Sequence, residues 1–72
     1  MYTTLPTNQT LLAIQYNSGS ESLDVIFRKG QIRTYHGVPI TTAYRLAYSK
    51  DPASAMQIYS TEIKKKFKVT VK

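Results

Sequence analysis

An alternation of apolar and polar residues on either side of a glycine constrains the fold of this chain most strongly. Residues 23–28 alternate with the period of two expected for a β-strand. Lys29-Gly30 follows, and because glycine takes positive φ at low cost, residues 31–36 are predicted to be the returning strand of a hairpin. The apolar residues 11–16 are expected to add a strand before it. The sequence therefore predicts a three-stranded antiparallel β-meander.

The hairpin also predicts which side chains share a face of the sheet. If Lys29-Gly30 is a two-residue turn, Phe27 lies opposite Ile32, and opposite residues point to the same face. The apolar face, which has the composition of a core, would hold Leu23, Val25, Phe27 and Ile32. The other face would hold Asp24, Ile26, Arg33 and Tyr35. We therefore expect Tyr35 and Arg33 to lie side by side on the mixed face.

Helical spacing replaces strand alternation in the second half of the chain. Thr41 or Thr42 is expected to cap a first helix, while Asp51 at the N-cap and Pro52 at the first helical position start a second. Apolar residues of the second helix recur at spacings of three and four: Met56, Tyr59, Ile63 and Phe67. Residues 67–71 alternate again and are expected to form a last strand or an extended tail.

A length of 72 residues allows one small domain. The predicted fold class is α+β: a three-stranded antiparallel meander packed on one or two helices, with a possible extra C-terminal strand. Residues 1–10 are Thr-rich and are expected to be a loosely held, polar N-terminal arm. Residues 11–72 form the single domain, which ends in the basic segment 62–72.

The cell compartment is predicted from what the sequence does not contain. No run of apolar residues is long enough to cross a membrane, and the N-terminus lacks the pattern of a signal peptide or a lipid anchor. The chain has no cysteine, which removes disulfides and favours a reducing compartment. We therefore expect a cytoplasmic protein.

Three short motifs together resemble a known family. The stretches Leu23-Asp-Val-Ile-Phe27, Lys29-Gly30 and Tyr35-His-Gly-Val-Pro39 are similar to the KTSC domain, which occurs at the C-terminus of some lysyl-tRNA synthetases and alone in bacterial and phage proteins. The resemblance covers roughly residues 11–67. The family's Tyr-x-Tyr is Arg33-Thr34-Tyr35 here, so a guanidinium replaces one ring. The resemblance implies the α+β fold, and the synthetase context implies RNA binding.

Catalysis is not expected, because the chemical groups are too few. His36 is the one histidine in the sequence, which leaves no His–His or His–Cys set for a metal. Among the four carboxylates, Asp51 is better explained as a helix cap and Glu62 as an i, i+4 partner of Lys66. We therefore predict no catalytic residue, no metal and no cofactor.

Lysines near the C-terminus are the strongest indication of function. The segment 62–72 holds five lysines against Glu62, a net charge of +4 out of the chain's +6. These lysines are Lys64, Lys65, Lys66, Lys68 and Lys72. They are expected to bind phosphates with release of counterions. The alternative is a solvated helix end followed by an edge strand that its lysines protect from aggregation.

The face that is expected to carry Arg33 and Tyr35 is the second candidate, with His36 next to it. An exposed tyrosine beside an arginine can stack on a nucleic-acid base, or it can anchor a protein partner. Alternatively, a helix covers this face. Tyr44 and Tyr48 are expected at the rim of the core, with their hydroxyls in water, and the alternative is that they form a stacking pair.

Two functions follow from these observations. The first is a small basic module that binds RNA or other single-stranded nucleic acid through the lysines, Arg33 and Tyr35. The alternative is a protein-interaction module, such as a small phage protein that binds and modulates a host protein. An acidic partner would suit the positive charge. A strand edge at residues 67–71 or 11–16 could also pair with a second copy and give a homodimer.

Overall fold

Five strands and two helices make up the protein in a computed structural model that describes residues 2–5 and 10–71. The strands are β1 (Tyr2–Thr4), β2 (Leu11–Asn17), β3 (Ser22–Phe27), β4 (Ile32–His36) and β5 (Lys68–Val71). The helices are α1 (Ile40–Ala47) and α2 (Pro52–Ile58), and α2 continues into a π-helical turn (Tyr59–Ile63). Each strand pairs antiparallel with the next, so the sheet order is β1-β2-β3-β4-β5. The predicted α+β class is confirmed, and the extra C-terminal strand is present.

Residues 2–4 form an edge strand where a loosely held arm at 1–10 was expected. Thr3 lies opposite Ile14 of β2, and Leu5 is buried in the core with its N–H donated to the Leu12 carbonyl at 3.1 Å. Threonine suits an extended backbone once a neighbouring strand offers hydrogen bonds, and this pairing is not visible in the local sequence. Met1 and residues 6–9 of the expected arm lie outside the described residues.

The hairpin register differs by one residue from the predicted one. Ile26, not Phe27, lies opposite Ile32, because the loop has three residues, 28–30, closed by the Phe27 N–H and the Gln31 carbonyl at 2.9 Å. A two-residue type I′ turn would need positive φ at Lys29, whereas a three-residue loop needs it only at Gly30, whose φ is +93°.

The register shift moves the alternate residues of β4 to the other face of the sheet. Tyr35 now lies opposite Leu23, on the face covered by the helices, and the prediction that Tyr35 shares a face with Asp24 and Ile26 is wrong. The helical residues that pack with the strands in this core are Ala43, Leu46, Ala55, Tyr59 and Ile63. Ile32 lies on the opposite face, called the open face here, and is only half-buried.

The two helices begin in different ways. At α2 the predicted cap is confirmed, since the Asp51 side chain accepts a hydrogen bond from the Ser54 N–H at 2.8 Å and Pro52 occupies the first turn. At α1 the prediction of a threonine cap is wrong. Pro39 is the N-cap residue and makes no side-chain cap, because its ring has no oxygen to accept a hydrogen bond. Just before it, the Val38 N–H donates to the Glu21 carbonyl at 2.8 Å.

The π-helical turn sets the spacing of the last buried side chains. The Lys64 N–H bonds to the Tyr59 carbonyl, five residues earlier, at 2.9 Å. Within the turn, the Thr61 hydroxyl donates to the Gln57 carbonyl at 2.7 Å. This side-chain hydrogen bond competes with the backbone hydrogen bonds of the helix. Tyr59 and Ile63 are both buried, so the turn delivers the chain to the solvent at Lys64.

Candidate nucleic-acid interface

The basic segment leaves the π-helical turn as an exposed tight turn at Lys64, Lys65 and Lys66. The Glu62 carboxylate lies 3.9 Å from Lys66 Nζ, which confirms the predicted i, i+4 pair. The same Oε2 atom lies 3.5 Å from Arg45 Nη1 on α1. Packing of α1 against the π-helical turn therefore adds an arginine to the lysines.

Lys68 continues this positive surface onto the sheet. It is the first residue of β5 and lies opposite His36, the last residue of β4. Both are exposed, and a 2.9 Å hydrogen bond joins His36 Nε2 to Thr70 Oγ1 on the same open face. We call Arg45, Lys64, Lys65, Lys66 and Lys68 the basic surface, and His36 lies at its border.

Arg33 does not belong to the basic surface. It lies opposite Val71 at the far end of β5, and its side chain is on the core face, with the guanidinium carbon 5.0 Å from the centre of the Phe27 ring. Its Nε donates to Gln31 Oε1 at 3.2 Å. The hydroxyls of Tyr35 and Tyr59 raise the pKa of the guanidinium. Arg33 thus covers the edge of the core as a permanent cation.

Tyr35 cannot stack on a ligand, because it is 1% exposed. Its hydroxyl lies 2.7 Å from the Tyr59 hydroxyl, and the two rings meet edge to face with their centres 6.0 Å apart. Of the alternatives given for Tyr35, the structure therefore has the one in which helices cover its side chain. Lys72, the remaining predicted site residue, lies outside the described residues.

Tyr59 makes the stability of the protein sensitive to alkaline pH. Burial, together with the hydrogen bond to Tyr35, raises the pKa of Tyr59 from 10.0 to about 12. The unfolded chain loses this proton near pH 10 while the folded protein keeps it, so the free energy of unfolding should fall as the pH rises from about 10 towards 12.

Urea unfolding followed by circular dichroism at a series of alkaline pH values measures this fall. Tyr59→Phe should be less stable at neutral pH, because the hydrogen bond between the Tyr35 and Tyr59 hydroxyls is lost, but its free energy of unfolding should fall less at alkaline pH. Tyr48→Phe, at a position 74% exposed, is the control and should follow the wild-type curve. Equal alkaline slopes for wild type and Tyr59→Phe would contradict the assignment.

Two exposed tyrosines beside Arg45 were not among the predicted site residues. Tyr44 and Tyr48 on and just after α1 are 40% and 74% exposed, and their ring centres are 5.7 Å apart at an angle of 44°. Their spacing of four was visible. The connection of their helix to the basic segment was not visible, because it depends on the contact between Arg45 and Glu62.

Among residues 2–5 and 10–71, no three side chains of the metal-ligating types His, Asp and Glu lie close enough together to hold a metal ion. The described helices include none that is both long enough and apolar enough to cross a membrane.

Comparison with known proteins supports the resemblance seen in the motifs. A family model described as the KTSC domain matches residues 7–67. The fold is similar to the crystal structure of a KTSC domain protein from Yersinia pestis, with a TM-score of 0.74, 22% sequence identity, and coverage of 97% of this chain and 96% of that one. No curated protein matches the chain.

Proposed function

The chain belongs to the KTSC domain family, and on that premise we propose that it is a small module that binds single-stranded nucleic acid, RNA in particular, through its basic surface. One observation carries the proposal. The Glu62 carboxylate joins Arg45 of α1 to Lys66 of the basic segment, and Lys64, Lys65 and Lys68 are exposed beside Lys66 in the chain. Five cations against one carboxylate leave a strongly positive surface that suits phosphates.

The cations of this surface are available to a ligand. The side chains of Lys66 and Arg45 are each 60% exposed, and ion pairs between exposed side chains contribute only about 0.2–1 kcal/mol. A phosphate group can therefore replace Glu62 as their partner at little cost. Because lysine ammonium groups are point charges without base-reading geometry, this contact supplies affinity for the backbone rather than sequence specificity.

A titration of fluorescently labelled single-stranded RNA at several salt concentrations tests the proposal. If four or five cations contact phosphates, the logarithm of the binding constant should fall against the logarithm of salt concentration with a slope of about −3. Fluorescence anisotropy measures the binding. The absence of binding at low salt, or an affinity that salt does not change, would refute the proposal.

A protein-interaction module is the second candidate, and the edge of β5 is the observation that favours it. Val69 and Val71 are 45% and 55% exposed, and among the described strands none lies beyond β5. A strand of a partner, or of a second copy, could extend the sheet there. A stoichiometric protein captured from host lysate, and retained after nuclease treatment, would favour this candidate over the first.

A further inference from the structure

We propose that Tyr44 and Tyr48 form a stacking platform for an unpaired nucleic-acid base, next to cations that hold the flanking phosphates. This inference rests on the proposed function and names the part of the surface that would contact bases. It moves the base contact from Tyr35, which is buried, to a different face of the molecule.

The two rings are exposed and lie against each other. Their centres are 5.7 Å apart and their planes are tilted by 44°, which is within the range in which aromatic side chains attract each other. Tyrosine also has few rotatable bonds, so ordering it on binding costs little entropy. Tyr48 exposes 74% of its surface, which leaves area for a base to cover.

The platform is continuous with the basic surface. Arg45 follows Tyr44 directly and lies three residues before Tyr48, on the exposed side of α1, because Ala43 and Leu46 mark the buried side. Through Glu62, Arg45 connects to Lys66 at 3.5 and 3.9 Å. Proteins that bind single-stranded nucleic acid combine aromatic rings, which stack on bases, with nearby cations, which neutralise phosphates.

The open face of the sheet offers no comparable platform. Where β3 and β4 pair, the side chains on this face are Asp24, Ile26, Ile32 and Thr34, together with His36 at the end of β4, and the β2 residues beside them are Ala13 and Gln15. Thr34 is buried and donates to Asp24 Oδ1 at 2.6 Å. The middle of the sheet therefore presents no ring on which a base could stack, whereas Tyr44 and Tyr48 lie on and just after α1.

The test compares a short labelled oligouridylate with the same backbone lacking bases. Tyr44→Ala combined with Tyr48→Ala should weaken binding of the oligouridylate by about tenfold or more, with little effect on the base-free backbone. Tyr44→Phe with Tyr48→Phe keeps both rings and should retain the affinity. Tyr2→Ala removes an exposed ring from β1, the edge of the sheet opposite β5, and is the matched control. Circular dichroism checks that each variant is folded, and Tyr48→Ala alone serves if the double variant unfolds.

The outcomes separate this inference from the proposed function. Binding that the tyrosine variants leave unchanged, while lysine replacement weakens it, overturns the platform and keeps the basic surface. An equal loss on the base-free backbone, or on polyglutamate as a mimic of an acidic protein, also overturns the platform. If the wild-type protein binds neither the oligouridylate nor the base-free backbone, both proposals fall.

Discussion

Replacing Tyr35 with alanine is expected to lower the free energy of unfolding by about 3–5 kcal/mol, the cost of removing a buried aromatic ring. The ring is 1% exposed, and its hydroxyl is paired with Tyr59. A domain of this length has about 4–11 kcal/mol of stability in total. The expected loss is a large part of that total, so the urea concentration at the midpoint of unfolding should fall markedly.

Ile32→Ala on the same strand is the matched control, because the two positions exchange roles under the alternative register. Ile32 lies half-buried on the open face, and its truncation should cost about 1 kcal/mol. Tyr35→Phe keeps the ring but removes the hydrogen bond to the Tyr59 hydroxyl, which keeps the Arg33 guanidinium as a partner, for a loss of about 0.5–1.5 kcal/mol. Urea unfolding followed by circular dichroism ranks the three variants. A larger loss for Ile32→Ala than for Tyr35→Ala would show that the hairpin has the two-residue turn.

Replacing Lys64, Lys65 and Lys66 together with glutamine should reduce the affinity for single-stranded RNA by about tenfold or more at low salt. Because three phosphate contacts are removed, the salt slope should change from about −3 to about −1. A fourfold increase in salt would then weaken binding about fourfold, in place of about sixtyfold for the wild type. The lysines are exposed, so the fold should be retained.

A second triple replacement distinguishes a defined surface from overall charge. Arg28, Lys29 and Lys50 are exposed and lie outside the basic surface, and their replacement by glutamine changes the net charge by the same amount. Anisotropy titrations of both variants should show that this control keeps a slope near that of the wild type. An equal loss in the two variants would mean that the net charge of the protein, and not the basic surface, attracts the RNA.

Local patterns in the sequence predicted the elements well, and they failed where the answer depended on a turn or on a distant partner. An apolar run placed β2, alternation placed β3, and the glycine turn placed the returning strand β4. The Asp51-Pro52 pair placed the start of α2. The register depended on which residue of the loop takes positive φ. Gly30 was compatible with loops of two or three residues, and a change of one residue was enough to exchange the faces of β4.

The candidate site was predictable only in part, for a related reason. The contact between Glu62 and Lys66 lies within one stretch of chain, so their spacing predicted it. The contact between Arg45 and Glu62 joins α1 to the π-helical turn, and no local pattern encodes how those two segments pack. The same contact joins the helix that carries Tyr44 to the segment that carries the lysines, and the sequence alone does not show this connection.

The sheet order, in which neighbours in space are also neighbours in sequence, has a consequence for how the chain assembles. Short turns join β2 to β3 and β3 to β4, so these strands can pair as soon as they emerge during synthesis. β5 must wait for residues 37–67, and closing that long loop costs more entropy than closing either hairpin. We therefore expect β5 to dock last and to detach first. Since the lysines lie just before β5, a bound nucleic acid that needs them in place would hold the final strand closed and protect the end of the chain from unravelling.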